Sequence, residues 1–108
     1  MEKKLLIETE GRYIRQTSTL GHFAVVMLQI YTIDAEEVVF ENHCTPEQLP
    51  KEFVDFVQKG VHDFATESGI SGILVCLTDA MWHQTDSMEL DFSMAAIMAL
   101  QKAFAKEQ

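Results

Sequence analysis

The segment WHQTDSMELDFSMAAIMALQKAF, from Trp82 to Phe104, couples a polar loop centred on His83 to a long, small-residue helix. Asp86 is the expected N-cap. Glu89, three residues on, completes an acidic analogue of a capping box, and both carboxylates sit where the helix dipole favours negative charge. The helix is predicted to run to about Lys106. Its middle, Met94-Ala-Ala-Ile-Met-Ala-Leu100, is apolar nearly all round. Such a helix is either deeply buried or leaves one side for a partner, and helices that cover one face of a sheet turn their outer sides to water.

Working outward, Ile73 to Leu77 is a short continuous apolar run suited to an interior strand. The segment before it reads as a helix beginning at Pro50, whose missing N–H is no loss in a first turn, and ending at Gly69. Phe53, Phe56, Val57, Gly60, Val61 and Phe64 recur at three-and-four spacing and define its expected buried face. Gly60 lowers helix propensity there, which predicts close packing against a sheet. Upstream, Leu5 to Glu8 and Tyr13 to Gln16 read as extended segments, with Gly11 as punctuation between them and a polar turn after Gln16. Phe23 to Ile33 and Glu37 to His43 read as two further strands, separated by Asp34-Ala-Glu36. The order is strands, helix, strand, helix, with no repeat, linker or low-complexity segment.

At 108 residues and 47% apolar, the chain is long enough to bury a core as one domain, residues 1–108, without metal or disulfide staples. It holds no run of about 18 apolar residues for a membrane helix, and the Met-Glu-Lys-Lys start lacks the apolar core of a signal peptide. A cytoplasmic location is the expectation. Cys44 and Cys76 form no CxxC pair and read as reduced, buried small residues. The net charge of −9 argues against a protein that gains affinity by broad phosphate neutralisation. The charge is uneven: residues 1–16 carry four cations against three carboxylates, a net of +1, which leaves −10 for the remainder. Arg12 and Arg15 lack the dense basic and aromatic interleaving of an RNA-recognition sheet.

Three segments carry a resemblance to a known family. His83-Gln-Thr-Asp-Ser-Met-Glu89 fits the pattern Y-H-x-V-D-S-x-E with Trp82 in place of its tyrosine. Phe92, Ala95, Ala96, Met98, Ala99 and Leu100 fit F-x-x-A-A-x-M-A-[FL]. Gly11-Arg-Tyr-Ile-Arg-Gln16 and Leu49-Pro-Lys-Glu-Phe53 fit the upstream patterns E-G-[RK]-[YF]-I-R-Q and I-P-K-E-[YF]. In this order they resemble the fourth domain of bacterial elongation factor G and of related ribosomal-protection proteins, over nearly the whole chain. The resemblance implies an α/β (α+β) two-layer sandwich of order β-β-β-α-β-α, like the second domain of small-subunit ribosomal protein five, with a left-handed βαβ crossover. General handedness rules would give the opposite hand, so only the resemblance supports that detail. Two departures stand out. The stretch from Ser68 to Leu77 is about six residues shorter than in the family. The family's glycine-rich first loop is here Ser18 to Val25 and keeps only Gly21.

In that family two loops form a tip that enters the decoding region of the small ribosomal subunit. The resemblance therefore implies RNA contacts at His83, Gln84, Thr85, Asp86 and Ser87 on one loop. Gly21 and His22 belong to the other, where the loss of glycines and of an arginine weakens the inference. Without a family, His22 and His83 read as exposed loop histidines. A metal shared by them and Asp79 is the sharper alternative, short of the ligand count of a convincing zinc site.

Enzyme signatures are absent. No G-x-x-x-x-G-K-[ST] occurs, so a GTPase phosphate cradle is missing and no nucleotide is expected to bind. No G-x-S-x-G elbow or H-E-x-x-H helix occurs either. His62 reads as a solvated or packed side chain. His43 and Cys44 are adjacent on a strand and so point to opposite faces, which defeats a nucleophile–base hydrogen bond. No catalytic, cofactor-binding or metal-binding residue is assigned. The expected function is that of a noncatalytic, stand-alone, translation-related module that binds the ribosome through its tip loops. The alternative is an orphan or excised elongation-factor domain that self-associates, as a weak or moderate homodimer, through Met94 and Met98. An enzyme on a recycled fold is the weakest reading, since fold does not confer chemistry.

Overall fold

Glycine decides how the layers meet. In the computed structural model, which describes residues 2–16 and 21–105, the chain runs β1 (Lys3–Gln16), β2 (Gly21–Ile33), β3 (Val38–Asn42), α1 (Lys51–Ser68), β4 (Ile73–Trp82) and α2 (Glu89–Ala103). The four strands form one sheet in the order β1-β2-β4-β3. The β1/β2 and β2/β4 pairs are antiparallel, and β3/β4 is parallel, joined through α1. Helix α2 lies over β1 and β2, and α1 packs on α2 and β3. The molecule is 19 Å along its shortest axis, the thickness of one sheet and one helical layer. This is the two-layer β-β-β-α-β-α arrangement expected above.

Gly11 does not break β1. The strand continues through it, paired to Val26, and its irregularity falls at Leu6 instead, between Leu5 and Ile7. A Cβ on Gly11 would lie 1.8 Å from the carbonyl oxygen of Ala95 and 3.0 Å from the Ala99 nitrogen. The absent side chain lets the α2 backbone rest directly on the strand. Beside it, the buried Thr9 hydroxyl donates to the Ala99 carbonyl at 2.9 Å. Ala95 and Ala99 are both fully buried in this seam.

Gly60 serves the helix pair rather than the sheet. A Cβ there would come within 2.6 Å of the Ser93 carbonyl oxygen and 3.2 Å of the Ala96 Cβ, so the tight contact is α1 against α2. Close by, the Ser93 hydroxyl donates to the Phe56 carbonyl at 2.8 Å. The buried face of α1 is also rotated from the expected one. Val54, Val57, Gly60, Val61 and Ala65 face the core, while Phe53, Phe56 and Phe64 are half-buried at its margin. Phe53 stacks on the fully buried Phe92 at 4.7 Å. Large rings fit the rim, and small β-branched residues fit the narrow space between helix and sheet.

Pro50 is the N-cap of α1, one residue before the first helical position. Gly69, at φ 68°, closes the helix in the left-handed conformation, with the Ile70 N–H bonded to the Ala65 carbonyl at 3.0 Å. Strand β4 is longer than the apolar run that signalled it, continuing to Trp82 past an irregularity opposite Met27 and Leu28. Helix α2 ends at Ala103 with Phe104 as its C-cap, about three residues short of the expected end, and the polar turn expected after Gln16 lies outside the described residues. Among the described residues, no helix is long and apolar enough to cross a membrane.

Strand alternation assigns the two sheet faces. Ala24, Val26, Leu28 and Ile30 of β2, with Ile73, Val75, Leu77 and Ala80 of β4, point to the helices. The other face carries Glu8, Glu10 and Arg12 of β1, Gln29 and Tyr31 of β2, and Cys76 of β4, with no helix over it.

Candidate functional site

Asp91, in the first turn of α2, organises the end of the molecule where β1, β2 and β4 meet the helix. Its side chain is only 4% exposed. One carboxylate oxygen accepts the backbone N–H groups of Met88 at 3.1 Å and Phe23 at 3.3 Å, and the other lies 2.9 Å from Nδ1 of His22. Helix α2 therefore begins at Glu89 with Met88 as N-cap, and the reciprocal carboxylate is Asp91, not Glu89. The expected cap at Asp86 sits two residues too early. Asp86 instead belongs to the loop, close enough to Gly21 that a Cβ there would fall 2.8 Å from the Asp86 carboxyl carbon.

The 83–87 loop is a turn with its own closure. The Ser87 N–H bonds to the His83 carbonyl at 3.0 Å. The Ser87 hydroxyl accepts the His83 N–H at 2.6 Å and donates to the Phe23 carbonyl at 2.7 Å, which bolts the turn to β2. Inside the turn, Nδ1 of His83 lies 3.1 Å from the Thr85 hydroxyl and 3.7 Å from the Asp86 carboxylate. The His83 ring also lies at 6.2 Å from that of Phe23. His83, Gln84 and Thr85 are exposed; Asp86 and Ser87 are half-buried.

The seven residues expected at the tip are thus brought together, though they are not equivalent. Gly21 supports Asp86 by giving it room. His22 is 24% exposed, clamped by Asp91 and edge-on to Tyr13 at 5.8 Å, so it is a structural member of the tip rather than a free loop histidine. The metal considered for His22, His83 and Asp79 has no common centre. Among the described residues these three are not a group whose donor atoms converge closely enough to hold an ion; Nδ1 of His22 faces Asp91, Nδ1 of His83 lies within its own turn, and the Asp79 carboxylate accepts from the Ala80 N–H at 2.9 Å and Gln48 Nε2 at 3.4 Å. Sequence reasoning missed Asp91. Its signal was an acidic residue three positions after Met88, obscured by the equally spaced Asp86 and Glu89.

Next to the tip is an apolar recess of about 480 Å³ lined by His22, Phe56, Met88, Glu89, Leu90 and Asp91. Leu90 is 66% exposed at its lip. Arg15, paired in register with His22, stacks its guanidinium over Tyr13 at 5.3 Å. Arg12 is neutralised by Glu10 at 2.8 Å. Both cysteines are free and buried. Burial pushes both thiols up, reinforced by the charge of Asp79 at Cys44 and of Glu41 at Cys76. Thiols held protonated in this way are poor nucleophiles.

An α/β module whose 83–87 turn is bolted to β2 and whose β2 start is clamped by Asp91 is the class that fold and site define. Comparison with known proteins supplies the family: the profile of elongation factor G, domain IV, matches residues 3–108, and the chain belongs to that family. Elongation factor G of Thermotoga petrophila is 32% identical over 109 residues, and that of Thermotoga neapolitana 32% over 113. These alignments cover 94% and 97% of this chain and 16% of each relative, so the chain spans about a sixth of their length. A crystal structure from Thermus thermophilus has the same fold, with a TM-score of 0.80 at 24% identity over 93% of this chain and 16% of that one.

Proposed function

We propose that this chain is a noncatalytic, translation-linked module that docks on the small ribosomal subunit through its tip, with His83, Gln84 and Thr85 as the RNA-facing side chains. The observation that carries the reading is the His83–Ser87 turn, exposed at its crest and fixed at its base by Ser87 to the Phe23 carbonyl. A preformed protrusion loses little entropy on entering a site, and shape with few polar contacts suits a chain of net charge −9. Asp86, Ser87, Gly21 and His22 shape and support that crest.

Replacing His83 with alanine is expected to leave unfolding within about 0.5–1 kcal/mol of wild type, since only an exposed ring and its exposed hydrogen bonds to Thr85 are lost. The same substitution should weaken cosedimentation with ribosomes. Failure of the wild-type chain to cosediment at low and physiological salt would defeat the docking reading. It would leave self-association in its place, through the outward side of α2 where Met94 is 42% and Met98 37% exposed. Binding unaltered in the variant would keep the partner and move the contact away from His83.

A further inference from the structure

At the β3/β4 edge, Glu41, His43 and Cys76 converge on the sheet face that no helix covers, Glu41 and His43 exposed and Cys76 buried. Their convergence follows from strand geometry. Glu41 and Cys76 are register partners in the parallel β3/β4 pair. His43 stands two residues beyond Glu41, and its N–H continues the ladder to the Leu77 carbonyl at 2.9 Å, so residues 41 and 43 point the same way. Nε2 of His43 lies 3.0 Å from Oε1 of Glu41, and that oxygen lies 3.8 Å from Sγ of Cys76. All three donor atoms lie within 4.8 Å of one another.

We propose that these residues form a mononuclear binding site for a thiophilic divalent cation of the zinc class, with a fourth position open to solvent. The donor set of thiolate, imidazole and carboxylate is the one zinc accepts. Tetrahedral bonds of about 2.1 Å to N or O and 2.3 Å to S place ligand atoms about 3.4–3.6 Å apart. The Glu41–His43 and Glu41–Cys76 separations of 3.0 and 3.8 Å bracket that value, and side-chain rotation brings His43 and Cys76, whose donor atoms lie within 4.8 Å, to the same spacing. Coordination forms the metal–Sγ bond as the thiol proton leaves to solvent, and the Glu41 carboxylate balances part of the cation's charge. Lys3, whose charge reaches both Glu41 and Cys76, opposes the ion. Its ammonium is held 4.6 Å over the Tyr31 ring. Cys44 takes no part: its thiol faces the core and the Leu77 carbonyl.

Titration of the reduced protein with Co²⁺, followed by visible and near-ultraviolet absorption and then by displacement with Zn²⁺, tests the site. The expected result is one Co²⁺ per chain with thiolate-to-cobalt charge-transfer absorption, unchanged in Cys44→Ala and lost in Cys76→Ala. Because removing even a group that only supports a ligand costs about tenfold in metal affinity, His43→Ala and Glu41→Ala should each weaken binding by at least about tenfold. Both residues are about half exposed, so these two variants decide the matter if Cys76→Ala does not fold. Absence of the charge-transfer band, its persistence in Cys76→Ala, or undiminished affinity in His43→Ala and Glu41→Ala would overturn the proposal.

Discussion

Gly11→Ala is expected to destabilise the domain by about 3 kcal/mol or more, at the upper end of what overpacking a core costs. The added methyl would meet the Ala95 carbonyl oxygen at 1.8 Å, and the obstacle is helix backbone, which cannot rotate away as a side chain does. Relief requires lifting α2 off β1, and that stretches the Thr9–Ala99 hydrogen bond and opens the alanine seam beside it. Gly69→Ala is the control. It meets nothing within 4 Å but must hold φ near 68°, so its cost is a local backbone term of about 1–2 kcal/mol. Urea unfolding of the two variants separates these causes. A Gly11→Ala cost under about 1 kcal/mol would show that the strand and helix are not in the contact described.

Asp91→Ala is expected to cost about 3–5 kcal/mol, the range for removing one member of a buried polar or charged set. Two backbone N–H groups lose their acceptor, His22 loses its partner, and the first turn of α2 loses its cap. Asp91→Asn retains an oxygen for the two N–H groups and should cost about half as much. The alanine variant should also release the Phe23 and Met88 amides to fast hydrogen exchange while Leu28 and Val75, in the middle of the sheet, remain protected until global unfolding. Equal exchange at Phe23 in wild type and variant would remove Asp91 from the role assigned to it. A larger stability loss at Asp91 than at His83 is the expected signature of a tip whose base, not its crest, carries the fold.

Much of this architecture was legible because the periodic signals are strong where one face is buried. The strand at Phe23 to Ile33, the helix bounded by Pro50 and Gly69, and the apolar run at Ile73 were all recovered to within a few residues. The errors share a physical cause. Gly11 reads as a break in local sequence and Gly60 as a close approach to the sheet, yet both are close approaches to α2, defined by a partner far along the chain, Ala95 for one and Ser93 with Ala96 for the other. Helix capping was misplaced because three acidic residues, Asp86, Glu89 and Asp91, compete at similar spacing, and only the position of β2 selects Asp91. Likewise, three-and-four spacing located the apolar side of α1 without distinguishing its centre from its rim. The neighbouring helix settles that, reserving the centre for Val57, Gly60 and Val61. The candidate tip residues were assigned through family resemblance, and the Asp91 clamp on His22 was visible only in three dimensions. The cluster of Glu41, His43 and Cys76 was hidden because its third member comes from another strand.

The most direct test of the docking reading is chemical probing of small-subunit ribosomal RNA with and without a saturating concentration of the chain. Protections confined to the decoding region are expected, diminished by His83→Ala under conditions where that variant is fully folded. Saturable binding with protections elsewhere, or with the same protections at full strength in the His83 variant, would contradict it.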